Sequence, residues 1–359
     1  MAKFQPKFTF PPPICALLID ISGTLLIGSS PIPGAAQALS TLRAARIPFR
    51  LCSNTSKESS HAMYERIRTA GLDVRREELW TSIGALRVVL KELGVKRPYM
   101  LLSKSALEEC TDEPVRSDLS DASSALPPSS PYDAVVVGLA PPLLDYTHLN
   151  TAFRILVGEN QPRDTPVSPT GDQAPHSNAH SGLGLGVGVC IQPRPPLIAL
   201  HKARYLEAPD HALSLGPGPF VHALEEAAQT SATVVGKPTR AFFEAVLRDL
   251  ERNLDVELGD DAASTQREGD RDRRGRGQSP STQTHRCRWE GIAVIGDDVL
   301  ADLGEGAVEL GLWRVLVKTG KYRPGDENRQ DVLPPDQVCV SFAEFVGMLH
   351  EQRTCPGGL

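Results

Sequence analysis

No Cys-x-x-Cys pair occurs in this sequence, and its seven cysteines are widely spaced and odd in number. That pattern argues against a zinc site or a disulfide framework and fits a reducing compartment. No apolar run approaches the ~20 residues of a membrane span, and Met1 to Phe10 lacks the apolar stretch of a secretory signal. An excess of basic charge is also missing. The net charge is −6, so no overall field favours nucleic acid or a membrane surface. A cytoplasmic chain without nucleic-acid or membrane partners is expected, and 359 residues leave room for two ordinary domains.

Three stretches are too poor in apolar residues to build a core. Residues 112–131 are rich in Ser, Asp and Pro, residues 161–196 in Pro, Ser, Gly and Asn, and residues 253–288 in charge. They read as flexible or disordered inserts. Glycines 182, 184, 186 and 188 miss the G-x-G-x-x-G spacing of a dinucleotide loop, and no strand precedes them. The Arg-Gly run from Arg271 to Gly277 is offset by nearby acids and reads as a solvated loop.

What the sequence does contain is one unit repeated: a short apolar strand, a polar residue at its end, then a helix. Ile14 to Ile19 ends on Asp20, with Ser22, Gly23 and Thr24 supplying a turn. Pro48 to Cys52 ends on Ser53 and Asn54; Thr233 to Gly236 ends on Lys237; Ile292 to Ile295 leads into Asp297, with Asp302 five residues on. Helical spacing is expected over Ala35–Ala45, Lys57–Ala70, Ser82–Leu93, Tyr146–Val157, Phe220–Ala228, Thr239–Arg252 and Ser341–Leu349. Further strands are expected at Pro98–Leu102, Ala134–Gly138, Leu197–Leu200 and Trp313–Val317. The fold class is therefore α/β: a doubly wound parallel-sheet core from residues 1–80 and 233–359, with a smaller α/β cap over 81–232.

Ligands gather beyond the carboxyl ends of parallel strands. Each strand-end residue also has a bland reading: Asp20 as a turn former, Ser53 as a helix cap, Lys237 as a solvated lysine, Asp297 and Asp302 as helix-start acids. Together they suit phosphoryl transfer. Three converging carboxylates repel one another unless a cation joins them, and all-oxygen ligation is what magnesium prefers. Asp20 is then the candidate nucleophile, the Ser53 hydroxyl suits an anion, and Lys237 supplies a point positive charge.

Asp20-x-Ser22-Gly-Thr24, Ser53-Asn54, Gly236-Lys237-Pro238 and Gly296-Asp297-Asp298 with Asp302 resemble, in order, the four motifs of the haloacid dehalogenase superfamily. The insertion between the second and third motifs is similar to that family's type-IIA (C2) cap. The resemblance implies a magnesium-dependent phosphatase with an aspartyl-phosphate on Asp20. It implies metal binding by Asp20, the Ser22 carbonyl, Asp297 and Asp302, and phosphate binding by Ser53, Asn54 and Lys237. Lys202 and Arg204 would lie on a cap loop over the site, as substrate contacts or as structural residues of the cap. A small phosphorylated substrate or a phosphoprotein side chain is the implied partner, with a homodimer formed through the caps. Ser22 stands where the superfamily's phosphatases usually carry an acid–base Asp. That departure keeps open a second reading, a weakly active or inactive member acting as a binding or scaffold protein.

Overall fold

The computed structural model describes residues 12–110, 132–159, 194–207, 212–263, 289 and 291–354. The first strand, Ala16–Asp20 (β1), is buried along its whole length. Leu26–Ile27 (β2) and Ser30–Pro31 (β3) then form a short antiparallel hairpin. The first core segment continues through Ala35–Ala44 (α1), Phe49–Ser53 (β4), Ser60–Thr69 (α2) and Leu79–Thr81 (β5). The middle of the chain supplies Ser82–Glu92 (α3), Pro98–Leu101 (β6), Lys104–Cys110 (α4), Ala134–Val137 (β7), Tyr146–Leu156 (α5) and Leu197–Ala199 (β8). A ribbon of Tyr205–Glu207 (β9) and Leu213–Leu215 (β10) follows, then Gly218–Ala228 (α6) and Thr233–Val234 (β11). The chain returns to the core with Arg240–Ala263 (α7), Ile292–Gly296 (β12), Glu305–Glu309 (α8), Trp313–Val317 (β13), Gln337–Cys339 (β14) and Phe342–Thr354 (α9).

The large sheet runs β14-β13-β12-β1-β4-β5, parallel throughout. Alternation along β1 divides the core in two, since successive side chains point to opposite faces. Leu17 and Ile19 join Leu39, Leu42, Met63, Ile67 and Phe345, from α1, α2 and α9. Ala16 and Leu18 join Phe243, Val246, Leu247 and Ala307, from α7 and α8. Helices thus cover both faces, which is why the strands read as continuous apolar runs. The small sheet, β11-β8-β7-β6, is likewise parallel. Its two layers hold residues of α5 and α6 on one side and of α3 and α4 on the other.

Four details depart from the sequence-based expectations. β11 was expected to open the second half of the core, yet it pairs with β8 of the small sheet. It is only two residues long, and the next residue, Val235, packs with Ile198 and Val136 of that sheet. α2 begins at Ser60, not at Lys57, because the Ser59 hydroxyl accepts the Ala62 N–H at 3.1 Å and caps it. α7 continues to Ala263, through the expected start of the charged insert at 253. No Gly or Pro interrupts the chain between Thr239 and Gly259, so no helix stop is written there. The edge strands β5 and β14, three residues each, were too short to show a period. The inserts expected at 112–131, over most of 161–196 and beyond 263 lie outside the described residues.

The two sheets meet at the loop after β4. The Ser56 hydroxyl accepts the Leu139 N–H beyond β7 at 2.7 Å and lies 3.3 Å from His201 Nε2, beyond β8. Ser103, beyond β6, donates to the Ser56 carbonyl at 3.4 Å. The carboxyl edge of the small sheet is therefore seated on the loop that carries Ser53 and Asn54. Ser56 and His201 are both buried. Burial pushes the His201 imidazole down to about 3, with the nearby lysines 321 and 237 adding to the effect, so this junction is held by a neutral ring.

Candidate active site

Asp20 ends β1 and Asp297 follows β12, its immediate neighbour in the sheet. One turn on, Asp302 closes back, its amide donating to the Asp298 carbonyl at 3.0 Å. Asp20, Asp297 and Asp302 are buried, and each offers a carboxylate oxygen within 4.8 Å of the others. Lys237 enters from the small sheet. Its ammonium donates to Asp20 Oδ1 at 2.5 Å, to Asp302 Oδ1 at 2.7 Å and to the Cys52 carbonyl at 2.8 Å, so all three of its protons are placed. Thr24 Oγ1 donates to the other Asp20 oxygen at 3.2 Å.

Burial, and then the charge of Asp302, push the Asp20 carboxyl up to about 6 against the pull of Lys237. Burial likewise holds the Asp297 carboxyl well above the usual range, with Lys321 working the other way. For Lys237 burial disfavours the charge, but Asp20 and Asp302 more than offset it and keep the ammonium protonated.

The structure gives the other sequence-predicted residues these partners. Asn54 spends its side-chain amide on the Lys237 backbone, accepting its N–H and donating to its carbonyl, both at 2.8 Å. That two-point clamp makes Asn54 the residue that aims Lys237. Ser53 Oγ accepts the Thr55 N–H at 3.1 Å. Ser22 is exposed, in a backbone bridge to Leu26. Lys202 does not face the acids: its ammonium is 2.7 Å from Glu225 Oε2 on α6. Arg204 is exposed on the wall of the adjoining cleft.

Sequence reasoning missed Lys321. Its amide donates to Asp297 Oδ2 at 2.6 Å, and its ammonium lies 3.0 Å from Asp298 and 3.8 Å from Asp297. Burial opposes the Asp298 charge, yet Lys321 and two backbone N–H groups bring its carboxyl down to about 2. The signal was available: Lys318, Thr319, Gly320 and Lys321 follow the apolar run of β13, the same pattern of polar residues at a strand end. Gly320 and Gly23 both have positive φ, at 56° and 98°, and a Cβ on either would collide with the Asp297 carboxylate. The two glycines let backbone close around that acid. Thr319 Oγ1 donates to the Gly23 carbonyl and ties these two turns together.

Four acids and two ammonium groups share the site, leaving a formal charge of −2. Asp297 Oδ1 is buried without a hydrogen-bond partner, a costly condition for a carboxylate oxygen unless a cation completes it. Three hard oxygen donors and two uncompensated charges fit a divalent ion of the magnesium type. Asp20, Asp297 and Asp302 are the residues that would hold it.

Comparison with known proteins gives the family. The family model for haloacid dehalogenase-like hydrolases matches residues 17–115, and a second HAD-hydrolase-like model matches residues 234–345. The rat haloacid dehalogenase-like hydrolase domain-containing protein 2 is 35% identical over 331 residues, covering 92% of this chain and 94% of its own. The human phospholysine phosphohistidine inorganic pyrophosphate phosphatase is 27% identical over 337 residues, covering 93% of each chain. Among solved structures, a 4-nitrophenylphosphatase from Thermotoga maritima superposes with a TM-score of 0.61 at 18% identity, over 93% of this chain and 97% of its own. NagD from E. coli K-12 gives 0.59 at 17% identity, over 92% and 98%. At such identities these two likenesses speak for the fold, a parallel-sheet core with a cap. The long, one-third-identical match to the rat protein carries the family: this chain belongs to the haloacid dehalogenase-like hydrolases.

Proposed function

We propose that this protein is a magnesium-dependent phosphatase that forms an aspartyl-phosphate on Asp20 during hydrolysis of a phosphoric monoester, a phosphoramidate or pyrophosphate. The observation that carries the reading is the buried Asp20–Lys237–Asp302 chain beside an Asp297 oxygen that accepts no hydrogen bond. The names of the relatives, several of them phosphatases, support it. When bound, magnesium would screen the acids and neutralise the phosphate. Asp20 attacks phosphorus through a carboxylate oxygen as the bond to the leaving group breaks; water then hydrolyses the acyl phosphate and restores the carboxylate. Lys237 can meet a phosphate oxygen only by exchanging one of its three present acceptors. A cytoplasmic setting and pairing of two copies through their caps belong to the same reading.

The direct test is phosphate release from 4-nitrophenyl phosphate and pyrophosphate. Turnover should vanish in EDTA and return with excess magnesium. Equal background with and without metal sinks the reading in favour of a binding or scaffold role.

Ser22 has a further consequence. Its hydroxyl titrates far too high to protonate a departing alkoxide, which favours substrates whose leaving group needs no proton from the enzyme: an aryl oxide, a phosphate, or an amine already protonated in the substrate. Ser22→Asp is expected to raise kcat on alkyl phosphate esters by about 10-fold or more and to change aryl phosphate turnover much less. A variant with no gain on alkyl esters contradicts that account.

A further inference from the structure

A cavity of about 340 Å³ opens against Lys237 and Asn54, between the cap and the core. Ala203, Tyr205 and Val234 wall it from the cap, and Pro238, Leu300 and Ala301 from the core. These surfaces suit a flat, largely apolar group about the size of one substituted ring. Lys237 lines this space and donates to Asp20 Oδ1 at 2.5 Å, so the cavity adjoins the candidate nucleophile through that lysine.

Besides Lys237, two cationic side chains, Lys202 and Arg204, and the His222 imidazole border the cavity, but they are not equivalent. Lys202 lies 2.7 Å and His222 3.0 Å from the same oxygen of Glu225, whose other oxygen accepts the Ala232 N–H at 2.8 Å. Arg204 is exposed and makes no hydrogen bond or close ion pair among the described residues, although its charge is felt by Asp331. Its planar fork matches a carboxylate or a similar flat anion. The core side presents Asp298 and Glu305, which repel an anion on that wall and leave the Arg204 side as the place for one.

We propose that this cavity is a leaving-group pocket for small aryl phosphates carrying an acidic ring substituent, with Arg204 as the residue that selects the substituent. The assignment rests on the phosphatase reading above. It adds the ring, its charge and the residue that reads it. In the step itself the Asp20 oxygen–phosphorus bond forms and the aryl oxygen–phosphorus bond breaks. The electron pair leaves with the phenolate, which needs no proton from position 22. Water then splits the acyl phosphate to inorganic phosphate, the carboxylate and a proton released to solvent.

The test compares kcat/KM for phenyl phosphate, 4-carboxyphenyl phosphate and glycerol 2-phosphate, with magnesium, in the wild-type chain, Arg204→Ala and Arg204→Lys. In the wild type the carboxylated ring should be favoured over the plain ring by roughly 10-fold, the value of one charge-assisted contact. Glycerol 2-phosphate should trail both aryl esters by a similar factor or more. Arg204→Ala should bring the ratio of the two aryl values close to one, and Arg204→Lys should keep part of it. Because the readout is a ratio within one enzyme, a general loss of activity or folded fraction does not imitate the result. An aryl ratio unchanged by Arg204→Ala, or glycerol 2-phosphate turned over as well as the rings, overturns the pocket while leaving the phosphatase standing. Absence of phosphate release from every substrate removes both.

Discussion

Asp20→Asn is expected to lower magnesium-dependent phosphate release by roughly 10³-fold or more. The amide matches the carboxylate in size and can still accept from Thr24, but it is no nucleophile. Lys237 keeps Asp302 and the Cys52 carbonyl as acceptors, so the loop need not collapse. Acid-quenched wild-type protein should carry a phosphoryl group on the peptide containing Asp20, and the variant should carry none. Retention of more than about a tenth of the wild-type rate would make another group the nucleophile. The same variant has a signature in stability. Folded, metal-free protein holds the Asp20 proton up to about pH 6, against an ordinary value of 3.8 for an aspartate. The native state therefore binds that proton more tightly, and the wild type loses stability as pH rises from 3.8 toward about 6. Asn has no such loss. In EDTA the variant should gain on the wild type across that window, measured by thermal midpoints at pH 4 and pH 7.

Asp297→Asn should separate stability from activity most sharply. Asp297 is 1% exposed, with one oxygen that accepts no hydrogen bond and two further carboxylates close by. Asn keeps an oxygen to accept the Lys321 N–H and turns an N–H₂ toward Asp20 and Asp302, exchanging repulsion for donation. Removing a buried, unsatisfied carboxylate oxygen is worth about 1–3 kcal/mol, so the thermal midpoint in EDTA should rise by several degrees. Added magnesium should raise the wild-type midpoint and leave the variant unmoved. Turnover should fall by 10²-fold or more, since one of three carboxylates able to hold the ion is gone. A variant that is less stable in EDTA and still responds to magnesium would show that Asp297 is a structural acid. Stability gained where function is lost is the general mark of a strained site.

Much of the large sheet was legible because β1, β4, β12 and β13 are buried on both faces and are written as apolar runs that stop on a polar residue. Asp20 and Asp297 were found by that signal alone, and the order of the four motifs tied Lys237 and Asp302 to them. Lys321 carried the same signal after β13 and was passed over. The reach of α7 past 253 was masked by charge, which marks a solvated face as readily as a loop.

By itself the sequence determined the two-sheet α/β plan, the residues at the strand ends and the expectation of a cation among the acids. Those follow from local rules: the period of apolar residues, the turn chemistry of Ser22 to Thr24, and the mutual repulsion of like charges. Only the tertiary structure decided that Lys237 reaches Asp20 from the small sheet, that Asn54 is spent on aiming it, and that Glu225 holds Lys202 and His222 while Arg204 borders the cleft. These depend on which side chains from distant segments compete for the same partner, and such competition is settled by distances that no one-dimensional pattern contains.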